Sequence, residues 1–136
     1  MTRSDGFTLI ELMIVIVIIG ILSSIAIPNF IRMRDNAKEA KVKGYVHTVQ
    51  LVAEDHAVRN DGHYSDAAAD LQPLLPGGAL LENAFTQAIT EPQFGAAAVT
   101  TGQVGIMVLM QAMDPVGYTV TGFGKDNLIL TIQSGD

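Results

Sequence analysis

From Leu12 to Ile31 the chain carries no charged residue, and Leu, Ile, Met, Val and Ala follow one another with only Gly20 and Pro28 as breakers. This continuity predicts helix from Phe7 onward. About twenty such residues make a helix about 30 Å long, enough to cross the hydrocarbon of a bilayer. A proline inside a helix removes one backbone hydrogen bond and crowds the preceding turn, so a bend or local unwinding is expected near residues 24–28. Beyond it the pattern changes. Val42, Tyr45, Val46, Val49, Val52, Ala53 and His56 recur at three- and four-residue steps, one apolar stripe on an otherwise charged helix, suited to covering a soluble core. Asn60-Asp61-Gly62 supplies the stop signal.

From Gly62 to Pro76 the residues read as a packed loop, anchored by Tyr64, Leu71, Leu74 and Leu75 and punctuated by Pro73, Pro76, Gly77 and Gly78. A short helix is expected from Ala79 to Ala88. The period then shortens to two, predicting strands at Ile106 to Gln111, Tyr118 to Phe123 and Leu128 to Gln133. Tyr118 and Val120, then Leu128, Leu130 and Ile132, fall on one face. Asp114-Pro115-Val116-Gly117 suits a type I turn, and Gly124-Lys125-Asp126-Asn127 suits a hairpin loop. The elements add up to an α+β fold, in which half of a long N-terminal helix is membrane-embedded and half packs on an antiparallel sheet of three or four strands. The expected segments are a polar leader over 1–6, the apolar helix over 7–31, its amphipathic half over 32–60 and a globular remainder over 61–136.

With 136 residues the chain has room for one core. It has no cysteine, so neither disulfides nor thiolate metal sites are available. The net charge of −6 is unevenly laid out. From Gly44 to Asp136 acids such as Glu54, Asp55, Asp61 and Asp66 face only Arg59 and Lys125, while Arg32, Arg34, Lys38, Lys41 and Lys43 crowd the stretch beside the apolar run, against Asp35 and Glu39. The distal part repels phosphate, so nucleic acid is not an expected partner.

The one acid at the start of the apolar run is Glu11. A carboxylate held deep in a bilayer costs about 2.5 to 3.5 kcal/mol on insertion scales, which makes it a functional candidate. A freed amino terminus would neutralise it. A pair with Phe7 on the same helix face, or snorkelling to the interface, would also satisfy it. Gly20 and Pro28 as a helix bend could let the helix repack on leaving the membrane, or serve packing alone. His47 and His56 are more than two turns apart and cannot share an ion. Asp114, Asp126 and Asp136 could gather calcium at the sheet edge, but turn formation and solubility account for the first two equally well, and no metal is expected. The aromatics Phe7, Phe30, Tyr45 and Tyr64 read as packing groups and not as an electron path. No catalytic spacing or phosphate loop is present, so neither an enzyme nor a cofactor is expected.

The run Gly6-Phe7-Thr8-Leu9-Ile10-Glu11-Leu12-Met13-Ile14-Val15, continuing through Gly20-Ile21-Leu22 to Ile25-Ala26-Ile27-Pro28, resembles the N-terminal segment of type IV pilins and type II secretion pseudopilins. Asp61-Gly62-His63-Tyr64 also looks like a pilin loop. The resemblance implies a pilin-like architecture, cleavage between Gly6 and Phe7 by a prepilin peptidase, N-methylation of Phe7, and pairing of Glu11 with the amine of an adjacent subunit. It implies a structural subunit that polymerises with itself into a pilus, or alternatively a secretion pseudopilin. Its other partners would be the assembly platform and, before assembly, the inner membrane, which the precursor crosses once; the product would be an extracellular pilus or a periplasmic pseudopilus. The positive-inside rule applied to Arg32 through Lys43 would instead put the distal part in the cytoplasm, whereas the resemblance implies the opposite side. A secreted protein with Arg3 as n-region and cleavage after Ser24-Ile25-Ala26 is a weaker reading, because Glu11 would open its h-region and the uncharged run continues to Ile31. A single-span anchor that never assembles is a further alternative.

Overall fold

In the structure, a computed structural model that describes residues 6–134, the apolar run and the amphipathic stripe lie on one helix, α1 (Leu9–Arg59), with Pro28 in its interior. The local unwinding expected at residues 24–28 is absent: every one of them is helical. By packing the chain divides into two units, Met1–Asp35 and Asn36–Asp136. In the first, the large apolar side chains from Phe7 to Met33 are exposed throughout.

The second unit holds the core. Val42, Val46, Val49 and Ala53 of α1 are buried with Val104, Ile106, Tyr118 and Val120 of the sheet, as the three- and four-residue steps require. Tyr45 packs at the margin. α1 ends in a Schellman turn: the Gly62 N–H donates to the Ala57 carbonyl at 2.8 Å, with Asp61 at φ 54° and Gly62 at φ 87°. The following segment contains α2 (Ala68–Leu71) and buries Leu71 and Leu75.

Where a helix was expected over Ala79 to Ala88, the chain forms β1 (Leu81–Glu82) and β2 (Ile89–Glu91), paired antiparallel. The cause is Asn83. Its Oδ1 accepts from the backbone N–H groups of Phe85 at 2.9 Å and Thr86 at 3.0 Å, a local turn that competes with helical bonding. The main sheet has the order β3 (Gln93–Phe94), β4 (Val104–Gln111), β5 (Asp114–Phe123), β6 (Leu128–Gln133). β4, β5 and β6 are antiparallel and β3 joins parallel to β4, so the sheet is mixed. β6, one of the two outer strands, contains no charged residue.

The Gly124–Asn127 loop joins β5 to β6 as expected, and Lys125 N–H donates to Glu39 Oε1 on α1 at 3.2 Å. The turn assigned to Asp114-Pro115-Val116-Gly117 is instead part of β5. Gln111 pairs with Asp114, so the connection is Ala112–Met113, at φ 50° and 76°. Pro115 is tolerated near the start of the strand, beside a register shift, where its carbonyl accepts from Tyr64 N–H at 3.2 Å. Gly122 allows the sheet to approach α1: a Cβ there would lie 2.6 Å from Val46 Cγ2.

Candidate functional site

The first turn of α1 is built by Thr8 and Glu11. Thr8 is the N-cap: its Oγ1 accepts from Glu11 N–H at 3.3 Å, while Glu11 Oε2 accepts from Thr8 N–H at 2.9 Å and from Thr8 Oγ1–H at 2.8 Å. This is a reciprocal capping box, which satisfies backbone donors that no helical carbonyl can reach. It places Glu11 at the third helical position, beside the exposed Phe7. The other carboxylate oxygen, Oε1, makes no hydrogen bond among the described residues. The carboxylate therefore has a structural side and an open side, and neither intrachain reading, pairing with Phe7 nor simple snorkelling, includes this cap.

Thr8 is the residue that sequence reasoning missed, although the Thr-x-x-Glu spacing before an apolar run carries the signal. Gly6 and Phe7 are both exposed and outside regular structure; the leader residues 1–5 lie outside the described residues. α1 is long and apolar enough to cross a membrane. Within it Ser24 Oγ donates to the Ile21 carbonyl at 2.7 Å, which shelters its polar group. Pro28 lacks the N–H that Ser24 C=O would accept. A Cβ added at Gly20 would meet nothing within 4 Å.

In the second unit several polar groups bind one another within the fold. Glu54 of α1 receives two phenols, Tyr118 Oη–H on Oε1 at 2.7 Å and Tyr64 Oη–H on Oε2 at 3.3 Å, and the two rings lie 5.0 Å apart. Burial first, then the Glu54 carboxylate, push both phenols above their usual range. Glu91 is buried and accepts from Asn83 Nδ2 at 3.0 Å, Thr90 Oγ1 at 3.0 Å and Val104 N–H at 2.9 Å. Lys41 pairs with Glu82 at 3.3 Å, and Lys38 stands over the Phe85 ring.

The histidines make local contacts: His47 with Gln50, His56 with the His63 carbonyl, His63 with the Asn60 carbonyl. Asp114 opens β5 and Asp126 follows its far end, about 30 Å of strand away, so the two cannot share an ion; Asp136 lies outside the described residues. No group of three or more potential metal ligands occurs among the described residues.

A family profile described as the prokaryotic N-terminal methylation motif matches residues 1–27. The type IV major fimbrial protein FimA of Dichelobacter nodosus is 36% identical over 122 residues, which cover 89% of this chain and 72% of that protein. The type IV major pilin protein PilA of Myxococcus xanthus is 44% identical over 69 residues, 51% of this chain and 31% of its own. The type II secretion system core protein G of Klebsiella pneumoniae is 48% identical over 75 residues, 55% and 53% of the two chains. Against the first of the curated relatives the chain spans about a third to a half of their length. No solved structure matches it significantly.

Proposed function

The chain belongs to the family of type IV pilins and type II secretion pseudopilins, and from that premise we propose that it is the structural subunit of a type IV pilus. The precursor sits in the inner membrane through the apolar part of α1. A prepilin peptidase cuts between Gly6 and Phe7, the new amine is methylated, and the subunit passes through an assembly platform into a homopolymer. The observation that carries the pilus reading is the FimA alignment, which runs on through the second unit. A pseudopilin is the second reading, favoured by the 48% identity to core protein G.

Within the assembly, Glu11 is the registering residue. Its Oε2 is committed to the cap, while Oε1 is open to the Phe7 ammonium of a neighbour. In apolar surroundings a charge-assisted bond of this kind contributes about 1.5–3 kcal/mol, about tenfold or more in affinity. Gly20 and Pro28 give the helix its capacity to bend as it leaves the bilayer.

The test is Glu11→Gln at matched expression. The amide keeps an oxygen for the cap and removes the charge, so insertion and folding should persist. We expect cleavage after Gly6 by intact mass, accumulation of mature subunit in the membrane, and a sheared filament yield about tenfold or more below wild type. Normal filament yield would refute the registering role. Absence of filaments from the wild-type chain in a competent host would refute the pilus reading itself.

A further inference from the structure

Methionine is spaced Met107-Val108-Leu109-Met110-Gln111-Ala112-Met113 along β4 and its turn into β5. Of the six methionines, these three share one hairpin, Met13 and Met33 lie on α1, and Met1 is outside the described residues. Exposure rises toward the tip: 39% at Met107, 64% at Met110 and 91% at Met113. The three sulfurs do not form a soft-metal site. Strand alternation puts Met107 on the outer face of the sheet and Met110 on the opposite one. There Met110 lines a shallow cavity of about 400 Å³ with Tyr64, Ser65, Asp66, Val108 and Pro115.

We propose that this hairpin is a site of reversible methionine sulfoxidation by hydroperoxide-class oxidants, with the order of reaction set by exposure. A thioether lone pair attacks one peroxide oxygen. The S–O bond forms as the O–O bond breaks, the sulfur loses two electrons, and the departing oxygen takes the proton of the transferred one and leaves as water or an alcohol. No base or metal is required, so access to sulfur decides the rate. Met113 sits on the two-residue turn at φ 76°, held away from the sheet. Met110 reaches solvent at the cavity rim, and Met107 stands on the sheet face opposite Thr119 of β5.

Sulfoxides at Met113 and Met110 can point into water without displacing any buried group, so the hairpin keeps its pairing. What changes is the surface. Met110, Met113 and Val116, all exposed, leave apolar surface at the end of the hairpin, and oxidation makes its two thioethers polar. Reduction by an enzyme pair specific for the two sulfoxide epimers restores them.

The experiment treats the full chain in phosphatidylcholine vesicles with limiting hydrogen peroxide and follows peptides by mass spectrometry. Met113 should gain one oxygen first, about twice as fast as Met107 or faster, following exposure, with Met110 between them and Met13 slowest inside the bilayer. Hydrogen exchange of β4 and β5 amides should be unchanged by the oxidation. Met113→Leu should abolish the fastest phase and leave the Met110 rate as it was. Oxidation of Met107 or Met13 ahead of Met113 would overturn the exposure order. Loss of amide protection in the hairpin on oxidation of Met113 or Met110 would overturn the claim that these side chains carry the sulfoxide into solvent.

Discussion

Replacing Glu91 by Gln changes one atom type at a site where every neighbour is a donor. Oε1 receives Asn83 Nδ2–H and Thr90 Oγ–H, and Oε2 receives the Val104 N–H. An amide can offer an oxygen to one side only. If its NH₂ takes the Oε2 position it faces the Val104 N–H; if it takes the Oε1 position it faces Asn83 Nδ2. Either way a buried donor loses its acceptor, at a cost of about 1–3 kcal/mol. The side chain is 1% exposed, so water cannot replace the lost partner without a rearrangement. Urea unfolding of the second unit alone, from Asn36 onward and followed by tyrosine signals because there is no tryptophan, is the assay. With a slope of about 1–1.5 kcal/mol per molar for a domain this size, the midpoint should fall by about 0.7–3 M. A midpoint within experimental scatter of wild type would mean that Glu91 does not act as an all-acceptor carboxylate in the fold.

Two further perturbations probe the contact between α1 and the sheet. Gly122→Ala would put a Cβ 2.6 Å from Val46 Cγ2 and 3.2 Å from Val42 Cγ1, an overpacking expected to cost about 1–3 kcal/mol; adding Val46→Ala should recover part of it, and strictly additive losses in the same unfolding assay would contradict that geometry. Tyr64 and Tyr118 hold their protons more tightly folded than unfolded. Stability should therefore be level up to the unfolded phenol range near pH 10 and decline above it. Tyr118→Phe should shrink that decline, and a midpoint that stays flat to pH 11 would refute the assignment.

Strong periodicities were legible without coordinates. Seven positions from Val42 to His56 marked the packed face of α1, and the third strand was placed at its observed limits because Leu128, Leu130 and Ile132 alternate cleanly. What misled was turn chemistry. Asp114-Pro115-Val116-Gly117 has the composition of a turn, but the pairing that incorporates it depends on β4 lying alongside, and Ala112–Met113 carry no turn signature at all. Asn83 looked like an ordinary residue in a helical stretch because its backbone bonds to Phe85 and Thr86 compete with the helix through a side chain. At the N-terminus Glu11 stood out as a lone charge, whereas its bond to Thr8 required reading the cap as well as the charge. The pairing of Glu54 with Tyr118 joins residues 64 positions apart, and no local pattern announces it.

The outer strand β6 of the main sheet carries a different implication, for behaviour under crowding. β6 is Leu-Ile-Leu-Thr-Ile-Gln, six residues without charge or proline, and one of its edges faces no other strand among the described residues. Such a segment matches the composition that self-associates as stacked strands. The nearest ionic residues along the chain flank it, Lys125 and Asp126 in the loop that precedes it and Asp136 three residues beyond Gln133, so charge guards the ends of the strand and not its length. Many copies of this domain held side by side would depend on that loop, and on the acidic surface of the whole domain, to keep like edges apart until each subunit is placed.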